Sequence, residues 1–200
     1  EHPSDDFLRQ PLLPRRLTES GPGVAFIDWD GDGRDELFFG NGAGGNLVGY
    51  SVAADGRLAK IAEPAFDRPL AGDALGLGAL GQWLIVAVSA HDSPTPTAPS
   101  LQLFRPGEAK PKVIKLPSAN HSDAGSIAVA DVDGDGHPDV FVAGHGIPGK
   151  FPQPASSWLL RGGPGGVKLD AEQSAVFANI GLVTAAVFVN LDDDILPELA

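Results

Sequence analysis

The sequence predicts an all-β fold built from many short antiparallel strands, and three observations lead to that prediction. The chain has 26 Gly and 18 Pro, spread along its length; both residues suit turns and weaken helix interiors. Hydrophobic residues make up 42 % of the chain, which is too many for a disordered polypeptide. Finally, one pattern, an apolar run followed by an acidic loop, occurs three times.

The recurring segment consists of a short apolar run, an Asp-rich loop and a second apolar run. Its copies cover residues 24–37, 127–140 and 186–199. The distance between the first two copies is about two repeats of roughly 50 residues each. A degenerate repeat is therefore expected between them, near residue 80. The apolar runs 75–80 and 83–88 fit that repeat as two strands whose acidic loop has been deleted.

Each repeat has room for four strands, which is typical of a β-propeller blade. Further strands are predicted at 36–39, 47–52, 58–62, 101–104, 113–116, 158–160 and 167–169. We therefore expect an N-terminal segment (1–20), blades at about 21–65, 70–118 and 122–172, and the start of a fourth at 175–200. Because propellers usually close with four to eight blades, the chain is expected to be the N-terminal part of a larger propeller.

The acidic loops predict calcium sites. Calcium takes six to eight hard oxygen ligands, and in the pattern Asp-x-Asp-Gly-Asp-Gly-x-x-Asp the side chains at positions 1, 3, 5 and 9 can converge on one ion. The carbonyl at position 7 adds an oxygen, and Gly at position 6 allows the sharp turn. Without a cation, carboxylates this close repel one another by roughly 1 to 4 kcal/mol per pair.

Three sets of ligands follow from this pattern. The first loop offers Asp28, Asp30, Asp32, Glu36 and the carbonyl of Arg34, with Asp35 replacing Glu36 if the register shifts by one. The second offers Asp131, Asp133, Asp135, Asp139 and the carbonyl of His137. The third offers Asn190, Asp192, Asp194 and Glu198. In the third loop Ile195 replaces the Gly of position 6, and a β-branched residue resists positive φ, so this site is expected to be weak or empty.

The acidic loops have two other possible interpretations. An EF-hand needs Glu at position 12 and helical flanks, but Phe39 and Val142 stand there and the flanks are β-rich. Acidic loops can also be ordinary solvated turns. Two nearly identical loops at repeat spacing favour metal binding over that alternative.

The loops resemble those of the FG-GAP/VCBS repeat family, which includes the calcium-binding blades of integrin α-chain propellers. The resemblance rests on residues 28–37 and 131–140, with 190–199 as a degenerate copy, and it extends over about residues 20–200 except for the loop of the second repeat. It implies a β-propeller with calcium on the loops that join the first two strands of a blade. In that family the ion braces the blade and usually does no chemistry.

The composition of the chain limits the kinds of partner that it is expected to bind. The net charge is −12, which argues against nucleic acid because phosphate binding needs a cationic surface. No apolar run is long enough to span a membrane, and the absence of cysteine excludes disulfides and thiolate metal sites. Extracellular calcium modules bind at about millimolar calcium, so the protein is expected to be secreted, periplasmic or on the cell surface.

The leading functional hypothesis is a binding or adhesion scaffold for an unknown protein or glycan. The alternative is a part, catalytic or not, of a secreted enzyme such as a polysaccharide lyase, glycosidase or oxidoreductase, because the fold alone does not decide. No catalytic residue is predicted: the histidines show no paired metal spacing, and residues 121–123 are interpreted as a polar loop. A lectin would use Trp29, Trp83 or Trp158 for stacking, but packing roles are favoured for all three.

Overall fold

A computed structural model describes residues 6–14, 16, 22–91, 99–117, 122–192 and 194–200. These residues form three four-stranded antiparallel sheets and one two-stranded sheet, which confirms the predicted all-β class. Within this part of the chain the helical elements are short: α1 (Asp6–Arg9), a 3-10 turn (Pro64–Asp67) and α2 (Ala171–Val176). None of the described helices has the length and apolar character needed to cross a membrane.

Each four-stranded sheet is a meander in chain order. The first contains β1 (Val24–Ile27), β2 (Glu36–Phe39), β3 (Val48–Val52) and β4 (Leu58–Lys60). The second contains β5 (Ala74–Leu80), β6 (Trp83–Val88), β7 (Ser100–Phe104) and β8 (Lys112–Lys115). The third contains β9 (Asp123–Ala130), β10 (Asp139–Gly146), β11 (Trp158–Arg161) and β12 (Lys168–Leu169). The two-stranded sheet pairs β13 (Phe188–Val189) with β14 (Glu198–Leu199).

The predicted strands lie where the sequence placed them, with ends that differ by one or two residues. In the second sheet a tight turn replaces the acidic loop, as expected: Leu80 pairs with Trp83, and Gly81 between them has a φ of 57°. Helix α2 was not predicted. It starts at the N-cap Asp170, whose side chain accepts a hydrogen bond from the Gln173 backbone N–H.

The first strands of successive sheets lie side by side, β1 beside β5 and β5 beside β9, and β13 also contacts β9. Glycine makes this close approach possible. A Cβ on Gly23 would lie 2.7 Å from the Leu75 carbonyl oxygen, and one on Gly76 would lie 2.6 Å from the Gly125 oxygen. Because glycine has no Cβ, the backbones of neighbouring sheets can approach to this distance.

The cores lie between the sheets. One hydrophobic cluster joins the first and second sheets, a second joins the second and third, and a third joins the third sheet to α2 and the two-stranded sheet. Trp29 and Trp158 are 3 % and 4 % exposed, which confirms their predicted packing roles. Trp83 is only half-buried, and the Arg105 guanidinium lies 5.4 Å from its ring centroid.

Candidate metal centres

The three acidic loops occupy the same place in the fold, between the first and second strands of a sheet: β1–β2, β9–β10 and β13–β14. Each brings together three carboxylates whose oxygens lie within 4.8 Å of one another. The three groups are Asp28, Asp30 and Asp32; Asp131, Asp133 and Asp139; and Asp192, Asp194 and Glu198. Clustered hard oxygens without His or Cys suit calcium or magnesium rather than zinc.

In the first loop the backbone wraps around Asp28. Its Oδ1 accepts a hydrogen bond from the Gly31 N–H at 2.9 Å, and its Oδ2 accepts one from the Gly33 N–H at 3.1 Å. Both glycines have positive φ, 79° and 85°, a conformation that is costly for residues with a Cβ. The Gly of position 6 therefore has the turn-forming role that the sequence predicted.

Position 9 of the first loop is Glu36 rather than Asp35. Glu36 is 4 % exposed and its Oε2 accepts the Trp29 N–H at 2.8 Å, whereas Asp35 faces solvent. Burial raises the pKa of the Glu36 carboxyl; the Trp29 hydrogen bond opposes this shift, and the charges of Asp30 and Asp32 add to it. Glu36 lies outside the group of three carboxylates but close enough to feel the charges of Asp30 and Asp32, and it forms no ion pair within the described part of the chain.

The second loop repeats this backbone. Asp131 accepts the N–H groups of Gly134 and Gly136, each at 2.8 Å, and the two glycines have φ of 74° and 84°. These hydrogen bonds, that of Gly136 most strongly, lower the pKa of Asp131. Asp139 at position 9 is 1 % exposed and accepts the Val132 N–H at 3.1 Å, which matches the bond from Trp29 to Glu36.

In the second loop a guanidinium from a neighbouring strand contacts the carboxylate of position 9. The Arg161 Nη1 lies 3.2 Å from Asp133 Oδ2 and 3.1 Å from Asp139 Oδ2, and Nε lies 3.1 Å from Asp170 Oδ2. Sequence reasoning missed Arg161. The strand register identifies the residue of the first sheet that corresponds to Arg161. Val140 pairs with Leu160 in the third sheet, and the equivalent Leu37 pairs with Tyr50 in the first sheet. Arg161, which follows Leu160, therefore corresponds to Ser51, which follows Tyr50.

The remaining predicted ligands of the first two loops bond within their own loops. Asp32 Oδ1 accepts the Arg34 N–H at 2.9 Å, and Asp135 Oδ1 accepts the His137 N–H at 2.8 Å. Arg34 also places its guanidinium 3.1 Å from Asp32 Oδ2, at an exposed position. Asp135 lies outside the group of three carboxylates in the second loop.

The third loop has a different backbone. Glu198 Oε2 accepts the Leu191 N–H at 2.7 Å, as at position 9 of the other loops, but the Asn190 side-chain amide donates to the Asp194 carbonyl. Ile195 is 94 % exposed. Within the described residues only Asn179 among non-glycines has positive φ, so Ile195 does not adopt the conformation of Gly33 and Gly136. Asp193, at position 4, lies outside the described residues.

The interpretation of residues 121–123 as a polar loop is wrong for Asp123; His121 lies outside the described residues. Asp123 opens β9 and is 4 % exposed, and it accepts hydrogen bonds from the Ser89 hydroxyl and the Ala90 N–H, both at 2.6 Å. Asp73 accepts the Ala43 N–H at 2.8 Å in the same way. The signal was present in the sequence as the Asp-Ala pairs 73–74 and 123–124, each at the start of the first strand of a sheet.

A scan against protein-family models and a search of curated proteins return no match to this chain. The functional assignment therefore rests on the fold and on the geometry of the loops.

Proposed function

We propose that the protein is a calcium-stabilised β-propeller, or a large part of one, that works outside the cytoplasm as a binding scaffold for a protein or carbohydrate. The observation that carries the proposal is the recurrence of a group of three carboxylates at one structural position, the connection between the first two strands, in three sheets. A solvated turn gives no reason for such recurrence at equivalent positions.

The stacking of the sheets supports a propeller. First strands lie beside first strands, and each pair of neighbouring sheets shares an apolar core. The outward faces at both ends of the stack remain apolar: Val24 and Phe26 of β1 are 50 % and 61 % exposed, and Val187 and Val189 are 55 % and 38 % exposed. Further sheets that continue the stack into a ring would cover these side chains, as ring closure does in propellers.

The chemistry of the loops supports calcium. Carboxylates held within 4.8 Å of one another repel by about 1 to 4 kcal/mol per close pair at the dielectric of a protein surface, and a divalent cation turns that repulsion into binding energy. Loops of this kind outside cells bind calcium at about millimolar concentration. At free calcium tenfold above Kd, each occupied site adds about 1.4 kcal/mol to the free energy of unfolding.

The test is a calcium titration of the chelator-treated chain by calorimetry, followed by thermal melting. We expect saturable uptake of two ions, at the first and second loops, and a rise in melting temperature, with a third ion only at higher calcium. Asp28→Asn and Asp131→Asn should each remove one of the two ions. Absence of both uptake and stabilisation at millimolar calcium would show that the loops are ordinary turns. A glycan-array screen of the calcium-loaded chain then separates carbohydrate from protein partners.

A further inference from the structure

The first two junctions between sheets are held by an aspartate of the later sheet. Asp73, just before β5, accepts the Ala43 N–H at 2.8 Å, and Asp123, the first residue of β9, accepts the Ala90 N–H at 2.6 Å. Ala43 and Ala90 both lie in the loop that follows the second strand of the preceding sheet. Each aspartate therefore ties that loop to the next sheet.

At the third junction, between the third sheet and the two-stranded sheet, a leucine stands in place of this aspartate. Leu182 precedes position 1 of the third acidic loop by eight residues, as Asp123 precedes position 1 of the second. A leucine side chain has no acceptor. The loop after β10 is held by the N-terminal segment instead, because Gln10 Oε1 accepts the Phe151 N–H at 2.8 Å across 141 residues of sequence.

We call residues 6–14 the N-terminal strap. Its second polar contact is made by Asp6, whose Oδ1 lies 3.5 Å from the His91 Nε2, with both side chains buried. His91 belongs to the loop after β6, whereas Phe151 belongs to the loop after β10. The strap therefore contacts the corresponding loops of the second and third sheets at the same time.

The strap turns its polar side chains inward. Asp6 and Gln10 are 1 % and 5 % exposed, whereas Leu8 and Leu12 are 83 % and 72 % exposed. Among its leucines only Leu13, at 6 % exposed, is buried. Burial of apolar surface therefore accounts for only part of the attachment, and a few polar contacts supply the rest. A segment attached in this way can open locally while the sheets stay folded.

The strap closes a cavity of about 110 Å³ beside the start of β9. Leu13 and Pro14 line the cavity from the strap, and Ile147, Phe151 and Leu182 line it from the third junction. Pockets for drug-sized ligands have roughly 300 to 1,000 Å³, so the closed cavity is too small for such a ligand. Opening of the strap would turn it into an exposed apolar depression.

We propose that the N-terminal strap is a lid that opens and closes as a unit at the end of the molecule where β9 begins. In the closed state it holds the loops after β6 and β10 through Asp6 and Gln10. In the open state it exposes Ile147, Phe151 and Leu182. The second acidic loop lies at the other end of β9, so the lid and the calcium sites are independent, and either proposal can fail without the other.

The test is amide hydrogen exchange of the full 200-residue chain, followed residue by residue by NMR. The Phe151 N–H reports on the strap because Gln10 is its acceptor. We expect it to be protected, yet to exchange at least about tenfold faster than the slowest amides of β10, since local opening needs less free energy than unfolding of a sheet. An unprotected Phe151 would show that the strap does not hold the loop, and exchange as slow as that of β10 would show that it does not open separately. Either result would overturn the proposal.

Two neighbouring leucines of the strap provide a matched pair of variants. Leu13→Ala removes apolar surface under the lid and should speed Phe151 exchange at least about tenfold, whereas Leu12→Ala, at an exposed position, should leave it as in the parent. The Ala43 amide, which Asp73 holds at the first junction, should keep its parent rate in both variants. Equal rates of Phe151 exchange in the two variants, or an equal acceleration of Ala43, would contradict a lid held by Leu13.

A polar variant keeps the test usable if Leu13→Ala fails to fold. Gln10→Leu removes the acceptor of the Phe151 N–H at similar side-chain size and should speed Phe151 exchange severalfold, with calcium uptake unchanged. Gln153→Leu, at an exposed glutamine in the same loop as Phe151, is the control and should exchange as the parent does. Parent-like exchange of Phe151 in folded Gln10→Leu would mean that Gln10 does not anchor the strap, and the proposal would be wrong.

Discussion

The first and second acidic loops share one backbone but differ in the charge beside them. In both loops position 1 accepts N–H groups of two left-handed glycines, and position 9 accepts the N–H of position 2. In the first loop the Arg34 guanidinium contacts the exposed Asp32, whereas in the second loop Arg161 contacts both Asp133 and the buried Asp139 at position 9. In the first loop the equivalent residue is Ser51, and burial raises the pKa of Glu36.

We infer from this difference that the response of a loop to calcium depends on its surroundings as well as on its ligand pattern. Position 9 of the second loop has a counter-charge in Arg161, so this loop is expected to be the more stable one without an ion, and a calcium ion would have to share or displace Arg161. Among the described residues no cation pairs with Glu36 in this way in the first loop. We therefore expect the first loop to bind calcium more tightly and to be the less stable of the two after chelation.

The largest expected effect on the free energy of unfolding comes from removing the charge at position 9 of each loop, measured in the absence of calcium. Asp139→Asn removes the charge opposite Arg161 in a residue that is 1 % exposed, and breaking such a pair is expected to cost roughly 1 to 3 kcal/mol, below the full value for a buried pair because Arg161 is partly in solvent. Glu36→Gln keeps the acceptor for the Trp29 N–H and removes a charge that forms no ion pair with any described residue. It should change stability by less than about 0.5 kcal/mol or raise it slightly.

Chemical denaturation of both variants in chelator measures this difference. Addition of calcium should stabilise each variant less than the parent, since each has lost a charge next to one metal site. Equal destabilisation by the two substitutions in chelator would break the comparison, because it would mean that Arg161 does not stabilise the second loop.

The next largest effect, on calcium affinity, is expected from exchanging the residues that differ between the two sheets, Arg161 and Ser51. Arg161→Ser should raise the calcium affinity of the second loop about tenfold, since a charge 3 to 4 Å from the ligands opposes a cation by roughly 1 to 4 kcal/mol. Ser51→Arg should lower the affinity of the first loop by a smaller factor, because Ile61 stands where Asp170 holds Arg161 in the third sheet.

Calorimetry measures the effect of each exchange most clearly when only one loop binds calcium. Asp28→Asn is expected to disable the first loop, so that the second can be titrated alone, and Asp131→Asn is expected to disable the second, so that the first can be titrated alone. The untouched loop should keep its parent affinity in each case. An Arg161→Ser variant with unchanged affinity would show that the guanidinium leaves the site at no cost when calcium binds.

The sequence was sufficient to predict the strands and the three loops, because both are set by local patterns. Apolar runs between turn residues located the strands, and the deleted loop between Leu80 and Trp83 followed from the repeat length. Glycines at position 6 predicted the left-handed turns of the first two loops, and Ile195 predicted their absence in the third.

The features that the sequence did not reveal depend on contacts between distant parts of the chain. Arg161 reaches Asp133 and Asp139 across the register of β10 and β11, and nothing near Arg161 in sequence marks it as a partner of Asp139, 22 residues earlier. His91 likewise lies near two buried carboxylates, Asp6 and Asp123, that come from separate segments of the chain. Asp123 lies in a polar stretch, so local composition favoured a loop where the fold required a buried acceptor.

The smallest effect concerns the residue that holds Arg161 in place. Asp170 accepts the Gln173 N–H at 3.0 Å and the Arg161 Nε–H at 3.1 Å, and these bonds, that of Gln173 first, lower its pKa below 3.8. A carboxyl with a lowered pKa adds stability above its ordinary pKa and loses it as pH falls through the lowered value.

Asn is an equally good N-cap, so Asp170→Asn should cost only the ion pair, about 0.3 to 1 kcal/mol at pH 7, and nothing in strong acid. Asp170→Ala, which also loses the cap, should cost more at both pH values in urea denaturation. If the two variants behave alike, or if the cost of Asp170→Asn persists in acid, Asp170 acts through the helix alone, and the counter-charge of the second loop is Arg161 without support from α2.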